Sequence, residues 1–237
     1  MVVEDGHFSG PVIDLIRYLG EVESLELVFR EVPWPRSLMS AKLGQVDLLP
    51  RHSMNRDREK YLAPILLGFE NRVVNYLLSP KLKVQVLEFN DLKPLVIGML
   101  RGSFYGKELQ KLNDDATIVY SNSIEQLLQM LSAGRVDVVP IQNLSWAENA
   151  YQKLSEQENL EKYIIAEFKE EFLSGKYLSI PKRSKFFKNY HSINCTVFKM
   201  RKNKILDSIY IKHGVLPFYQ HFEHAQSVKQ EASCHVE

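Results

Sequence analysis

The sequence lacks several features that would assign it to a specialised class of protein. Only two of its 237 residues are cysteine, and 30 Lys and Arg residues nearly balance 29 Asp and Glu residues. A net charge of +1 creates no extended field, which argues against nucleic acid or an anionic membrane as a partner. The densest apolar stretch, residues 61–69, is far shorter than the roughly 18–20 residues of a membrane span. These absences predict a soluble globular protein.

The two ends of the chain carry few signals. Residues 1–10 lack the basic and apolar regions of a secretory signal peptide, which favours either the cytoplasm or a chain whose leader has been removed. Cys195 and Cys234 are able to pair, but Cys234 stands in a polar tail three residues from the end. We therefore expect no structural disulfide. We also expect the tail to be frayed from about Gln226.

An internal repeat is the most informative feature of the sequence. Residues 38–50 read LMSAKLGQVDLLP and residues 128–140 read LQMLSAGRVDVVP, with a Leu, a Gly, a Val-Asp pair and a final Pro at matching positions. Each copy predicts a helix, a glycine C-cap and a short apolar strand that stops at the proline. The shared position of Asp47 and Asp137 indicates a common structural role. The repeat predicts two similar α/β lobes.

Hydrophobic periodicity predicts the elements around each copy. Before and within the first copy it predicts a helix over residues 12–19 ended by Gly20, a strand over 25–32, a helix over 37–43 ended by Gly44, and a strand over 46–49. In the second half it predicts strands over 95–99, 117–120, 136–139 and 163–168, and helices over 107–112, 123–131, 140–160 and 205–213. Alternating strands and helices are typical of mostly parallel sheets.

Two β-rich segments, residues 73–78 and 176–180, are each followed by a proline and basic residues. Together they bracket about a hundred residues that contain the second repeat copy. We predict that the chain crosses between the lobes at these segments. Lobe 1 then comprises residues 1–78 and 179–237, and lobe 2 comprises residues 79–178. The predicted fold class is α/β, with two α/β lobes joined by two hinge strands.

Candidate binding loops follow the strands, because ligands in open α/β sheets bind beyond the carboxyl ends of strands. The loop 101–106 contains Ser103 and Phe104 between a strand and a helix. Its backbone N–H groups and the Ser103 hydroxyl suit a carboxylate or another small anion, although an ordinary strand-to-helix turn that needs two glycines is the simpler explanation of the loop. Three arginines, Arg58 among them, lie in the loop 51–58, and a guanidinium is a natural partner for a carboxylate. Trp34 is either a pocket wall or a core residue.

Catalytic and metal-binding motifs are missing from the sequence. It has no G-x-S-x-G elbow, no P-loop and no G-x-G-x-x-G. His221 and His224 are three residues apart, but no third ligand follows at a recognisable spacing. Glu70 and His52 are the only candidates for an acid or base. We therefore expect no catalytic residue, no metal and no cofactor.

Four segments occur in an order and spacing that resemble one family of proteins. They are Asn55 to Arg58 after the first Gly-x-Val-Asp strand, Asp91 to Ser103, Ser123 to Asp137, and Leu206 to Gly214. The chain resembles the periplasmic solute-binding proteins of the polar amino acid type, which are family 3 proteins with the type II periplasmic binding fold. These are the receptors of bacterial ABC importers. The resemblance covers nearly the whole chain and implies two α/β lobes joined by two hinge strands.

The resemblance also implies roles for individual residues. Arg58 falls where the family's arginine binds the ligand α-carboxylate, and Ser53 falls at a hydroxyl or main-chain contact in the same lobe. Trp34 falls at the aromatic wall of the site. Ser103 and Phe104 fall in the loop of lobe 2 that donates hydrogen bonds to the same carboxylate.

Two positions depart from the family's pattern. Gln142 falls where an acidic residue usually receives the α-amino group, and a neutral amide makes no charge-assisted contact with an ammonium. This departure disfavours an ordinary amino acid as the ligand. Residues 6–10 match the segment just after the family's first loop, which implies that the leader and first strand are missing from this chain.

The function implied by the resemblance is that of an extracytoplasmic, periplasmic receptor. It would capture a small polar or anionic, amino-acid-like solute between its lobes as a monomer and present it to the membrane permease of an ABC importer. Three alternatives stay open at this point: a ligand-sensing module of the same fold, an enzyme such as a dehydratase or lyase on this scaffold, and a degenerate pair of lobes that binds nothing.

Overall fold

A computed structural model describes residues 2–4, 7–112 and 116–234. These residues form two compact units. Unit 1 contains the described residues up to Glu70 together with those from Leu173 onward, and unit 2 runs from Asn71 to Phe172. Gly6, which belongs to the segment expected to follow a missing first strand, lies outside the described residues.

The secondary structure alternates between strands and helices, which confirms the predicted α/β class. Up to the middle of the chain the elements are β1 (Val2–Glu4), β2 (His7–Ser9), α1 (Pro11–Val22), α2 (Trp34–Leu43), β3 (Leu49–His52), α3 (Arg56–Glu59), β4 (Leu62–Leu78), a 3-10 turn (Phe89–Leu92), β5 (Val96–Leu100) and α4 (Lys107–Lys111). The remaining elements are β6 (Thr117–Ser121), α5 (Ile124–Ser132), β7 (Val138–Ile141), α6 (Leu144–Ser155), β8 (Ile164–Pro181), a 3-10 turn (Lys185–Asn189), α7 (Tyr190–Lys202), α8 (Ile205–Lys212) and α9 (Ala225–Ser233). None of the helices in the described ranges is long and apolar enough to cross a membrane.

Strand pairing is mixed. β1 and β2 form a small antiparallel sheet of their own. The larger sheet has the order β3-β8-β4-β7-β5-β6. In unit 1, β3 pairs antiparallel with β8; in unit 2, β5 pairs parallel with both β6 and β7, and β7 pairs antiparallel with β4. β4 and β8 extend through the predicted hinge segments, and each contributes residues to both units.

Each unit has its own hydrophobic core. In unit 1, the apolar face of α1 packs with α7, α8 and the strands β4 and β8. In unit 2, one cluster surrounds Tyr76 and Leu92, and a second lies under α5 and α6. These cores fix the ends of the strands from which the candidate loops leave.

The helix α1 does not end at Gly20, as the sequence predicts, but continues to Val22. The glycine has a packing role instead, because a Cβ at position 20 would lie 2.7 Å from Leu27 Cδ1. Leu27 belongs to the predicted strand over residues 25–32, which is wrong: this segment carries no strand in the structure. Its alternating side chains Leu25, Leu27 and Phe29 pack on the core, so the period of two reflects core packing.

The prolines of the two repeat copies lie inside strands instead of ending them. β3 begins at Leu49 and runs through Pro50, and β7 begins at Val138 and runs through Pro140. Both predicted strands are therefore displaced toward the C-terminus. β3 is at one end of the strand order, and an edge strand tolerates a proline because it needs no N–H on its outer side.

The repeated Gly and Asp have matching structural roles. Gly44 and Gly134 both end a helix in the left-handed conformation, with φ of 74° and 71°, which glycine adopts without strain. Asp47 Oδ1 accepts a hydrogen bond from the Ser184 hydroxyl, and Asp137 Oδ2 accepts one from the Val96 N–H at 2.8 Å. In each unit the carboxylate ties the repeat to a neighbouring segment.

The C-terminal segment corrects two expectations. It forms the helix α9 instead of a frayed tail, and a disulfide joins Cys195 of α7 to Cys234. α9 also provides Ser227 and Gln230, which accept hydrogen bonds from the buried guanidinium of Arg201. The polarity of this segment does not indicate solvation, because Ser227 and Gln230 pair with the buried Arg201 cation.

Candidate functional site

The candidate site in unit 1 is built on the turn that follows β3. Asn55 caps the short helix α3, since its Oδ1 accepts a hydrogen bond from the Arg58 N–H at 2.9 Å. This turn returns the Arg58 side chain toward the residues just after the strand. Its Nη1 donates to the carbonyl oxygen of Ser53. The capped turn therefore brings Arg58 and Ser53 together.

The aromatic ring of Trp34 completes this group. Trp34 is the first residue of α2 and is half-buried. The centre of the Arg58 guanidinium lies 5.2 Å from its ring centroid, within the range of a cation–π contact. Burial lowers the pKa of Arg58, although an arginine keeps its proton at neutral pH. Thus three of the sequence-predicted site residues meet in unit 1.

His52 supports the turn as a neutral side chain. Burial, with smaller contributions from the charges of Arg58 and Lys176, lowers its pKa from 6.5 to about 4. Its Nδ1 lies 2.9 Å from the Ser53 carbonyl oxygen, which only accepts, and its Nε2 lies 2.9 Å from Ser179 Oγ. A neutral imidazole has one N–H, so the proton belongs on Nδ1 and Nε2 accepts from Ser179.

Lys176 is a functional candidate that the sequence argument missed. Only 4% of this residue is exposed. Its Nζ lies 2.9 Å from Glu70 Oε1 and 2.9 Å from Ser53 Oγ. Glu70 in turn contacts Arg51 Nη2 at 3.1 Å. Its one signal in the sequence is a lysine within the otherwise β-rich run KYLSI, a pattern that predicts a connecting strand.

The candidate residues in unit 2 lie on the loops after β5 and β7. Gln142 directly follows β7, and its Nε2 donates to the Phe104 carbonyl oxygen at 2.8 Å. The Oε1 of the same amide is able to accept a hydrogen bond. Ser103 is exposed, and the Phe104 ring packs edge-on against Phe172 at 6.5 Å. The structure thus brings Gln142 and the loop containing Ser103 and Phe104 together.

Gly106, at the end of the same loop, is required by its surroundings. Its φ of 118° is unfavourable for other residues. A Cβ at this position would lie 3.1 Å from the ring of Phe172, tighter than an ordinary contact. The loop therefore reaches α4 in a conformation that only glycine adopts without strain.

Together, the two α/β units and the strands that both contain define the fold of the periplasmic binding proteins. A mutant of ArgBP from T. maritima is 15% identical and superposes with a TM-score of 0.61 over 90% of this chain and 89% of that chain. An arginine 3rd transport system periplasmic binding protein from Legionella pneumophila is 18% identical, with a TM-score of 0.62 over 89% and 91%.

A third similar structure is a histidine kinase sensor domain with similarity to periplasmic binding proteins, 16% identical, with a TM-score of 0.62 over 92% of this chain and 91% of that chain. No protein-family model and no curated protein matches the sequence. The resemblance expected from the motifs is thus confirmed at the level of the fold, and the site chemistry has to be argued from the residues themselves.

Proposed function

We propose that this protein is an extracytoplasmic receptor that captures a small polar or anionic, amino-acid-like solute and presents it to an ABC importer. The observation that carries the proposal is the buried position of Arg58 beside Trp34 and Ser53, on the turn after β3. The similar structures named above are binding proteins and a sensor domain, which supports a ligand-binding role.

In this proposal Arg58 binds the carboxylate or another anionic group of the solute. A guanidinium is planar and matches a carboxylate through two parallel hydrogen bonds. Burial strengthens such contacts, because little water competes with them. Trp34 supplies an apolar wall on one side, and Ser53 supplies a hydroxyl. A micromolar affinity requires about −8 kcal/mol, which contacts of this kind are able to provide.

Ser103, Phe104 and Gln142 are the proposed contacts of unit 2. The exposed Ser103 hydroxyl donates to the solute, and the Phe104 ring offers an apolar surface. The Oε1 of Gln142 accepts from a polar group but carries no charge, so we propose a solute without a strong need for an anionic partner. The two units serve as lobes, and β4 and β8 serve as the hinge about which they close.

The proposed location rests on the disulfide as well as on the fold. Disulfides persist in oxidising compartments such as the bacterial periplasm and are rare in the cytosol. The bond between Cys195 and Cys234 therefore supports an extracytoplasmic protein. A membrane permease is the proposed partner, and a monomer is the proposed state.

The geometry gives no support to an enzyme that uses Glu70 or His52. Glu70 is engaged by Lys176 and Arg51, and both ring nitrogens of His52 have hydrogen-bond partners. A pKa of about 4 also makes His52 a weak base at neutral pH. We propose that both side chains hold the turn and that the protein binds without turnover.

The test is solute binding by Arg58→Ala, with Arg56→Ala as the matched control. Arg56 is exposed on the same short helix, so Arg56→Ala changes the net charge by the same amount as Arg58→Ala. Native mass spectrometry of the freshly purified protein identifies a co-purified solute, and calorimetry measures its affinity for each variant. Removing a buried charged partner costs about 2–5 kcal/mol, so affinity should fall at least ~30-fold for Arg58→Ala and stay unchanged for Arg56→Ala. Equal affinities in the two variants refute the assignment.

A sensing module is the second candidate, because a histidine kinase sensor domain is among the similar structures. A receptor for import should bind membranes that contain its permease in a solute-dependent manner. A sensor should instead alter the activity of a signalling partner. Solute-dependent pull-down of a permease from detergent extracts supports the receptor, and pull-down of a kinase supports the sensor.

A further inference from the structure

We infer that Lys176 is a positioning residue of the proposed solute site: it orients the Ser53 hydroxyl as a hydrogen-bond donor and thereby selects for a solute group that accepts, such as a carboxylate. This inference rests on the proposed function and adds to it a reason for the choice of ligand. Its basis is a chain of hydrogen bonds within unit 1 that runs from Lys176 through Ser53.

The first step is the direction of the bond between Lys176 and Ser53. The Nζ–Oγ distance is 2.9 Å, and both side chains are buried. An ammonium has three donors and no acceptor. The Ser53 oxygen must therefore accept from Lys176, and the hydroxyl hydrogen has to point elsewhere.

The second step is the present target of that hydrogen. Ser53 Oγ lies 3.3 Å from Ser174 Oγ, and the Ser174 hydroxyl has the Gly175 carbonyl oxygen at 3.5 Å. Both distances exceed the usual 2.7–2.8 Å of an O–H···O bond. Ser174 is thus a weak acceptor for Ser53, and an anionic oxygen would be a better one.

The third step is the rigidity of Ser53 itself. Its carbonyl oxygen accepts from Arg58 Nη1 and from His52 Nδ1. Among Ser53, His52, Arg58 and Lys176, Ser53 is the most exposed, at 9% against 4% for each of the other three. Ser53 is therefore the least buried of these four residues, its carbonyl group is held by two neighbours, and Lys176 sets the direction of its hydroxyl.

Glu70 makes the inference testable without loss of the fold. Its carboxylate contacts Arg51 as well as Lys176, so it keeps a cation nearby when Lys176 is replaced. Lys176→Met preserves most of the side-chain volume. Lys176→Met combined with Glu70→Gln removes both charges together. This avoids the large penalty of leaving one charge of a buried ion pair without its partner.

The experiment titrates ¹⁵N-labelled full-length protein with acetate and with acetamide and follows the amide resonance of residue 53. Acetate offers a charged acceptor. Acetamide has nearly the same shape, but its acceptor oxygen carries no net charge. The variants are Lys176→Met, Lys176→Arg, the double charge removal, Arg58→Ala, and Ser53→Ala with and without Lys176→Met. Lys199→Met, which removes an exposed lysine of α7, is the matched control.

We expect wild type and Lys199→Met to bind acetate at least tenfold more tightly than acetamide. Lys176→Met and the double charge removal should each weaken acetate binding about tenfold. Lys176→Arg should keep part of the acetate affinity that Lys176→Met loses. In the Ser53→Ala background, Lys176→Met should change acetate affinity less than twofold, because Lys176 acts through that hydroxyl.

Two results overturn the inference. One is an equal loss from Lys176→Met whether or not the chain also carries Ser53→Ala, which would show that Lys176 acts on the anion without Ser53. The other is acetate binding that depends on Arg58 but not on Lys176, which would leave the proposed function intact. If acetate shifts no resonance in wild type and Arg58→Ala changes no solute affinity, the proposed function fails together with the inference.

Discussion

Removal of the Cys195–Cys234 disulfide should destabilise the protein substantially without preventing its folding. The bond closes a sequence separation of 39 residues. In the chain-entropy description, a loop of this length restricts the unfolded chain by about 4 kcal/mol at 25 °C. For a chain of this size, a loss of about 1 kcal/mol in the free energy of unfolding lowers the melting temperature by roughly 2–4 °C. The melting temperature should therefore fall by roughly 8–16 °C.

The variant for this measurement is Cys195→Ser with Cys234→Ser. The fold should persist, because α9 stays attached through the Arg201 network and through the bond from Asn194 Nδ2 to Ser233 Oγ at 2.8 Å. Urea unfolding followed by circular dichroism gives the free energy of unfolding. Wild type treated with a dithiol reductant is the second sample, and the reduced double variant is the control, which should show no further change.

A thiol assay connects the stability change to the bond itself. Since the chain has only two cysteines, denatured wild type should release no thiol without reductant and two after reduction. A loss below about 1 kcal/mol after both thiols appear would refute the reasoning. So would two reactive thiols in the untreated protein.

Two further predictions concern buried polar groups. Burial lowers the pKa of His52 to about 4 in the folded protein, whereas its pKa in the unfolded chain is about 6.5. Between these two pH values the unfolded chain therefore binds more protons than the folded protein. The contribution of His52 to stability is complete above about pH 6.5 and is lost as the pH falls toward about 4. Urea unfolding should show wild type losing about 2 kcal/mol more than His52→Asn between pH 7 and pH 5; equal losses would contradict this. Gln230→Ala should lower the free energy of unfolding by about 2–3 kcal/mol, because the buried Arg201 guanidinium loses an acceptor. Lys229→Ala, an exposed position on the same helix, should change it by less than about 0.5 kcal/mol, and similar values for both variants would show that the Arg201 network contributes little.

Much of the fold could be predicted from local patterns. The two copies of the repeat indicate the helix and its glycine cap, because a left-handed C-cap requires glycine within the segment itself. The alternation of strands and helices indicates the α/β class. Strand ends were less predictable: residues 25–32 have a strand-like period but pack on the core without a ladder, and Pro50 is tolerated in β3 by its place at the edge of the sheet.

The candidate site was predictable only where it follows a local motif. Arg58, Ser53 and Trp34 belong to one stretch of sequence with a recognisable order, and the structure brings them together. Lys176 belongs to a strand 123 residues beyond Ser53. A pattern of apolar and polar residues cannot indicate which buried oxygen a distant ammonium will meet.

By itself, the sequence determined the alternation of helices and strands, the glycine caps of the two repeat copies and the family that the order of motifs resembles, because these properties depend on neighbouring residues. Tertiary structure alone decided that Cys195 meets Cys234, that the polar residues of α9 surround Arg201, and that Lys176 reaches Ser53. Each of these contacts joins segments far apart in the chain. Their geometry depends on how complete helices and strands pack, since the cost of burying a cation is offset only when all its partners arrive together.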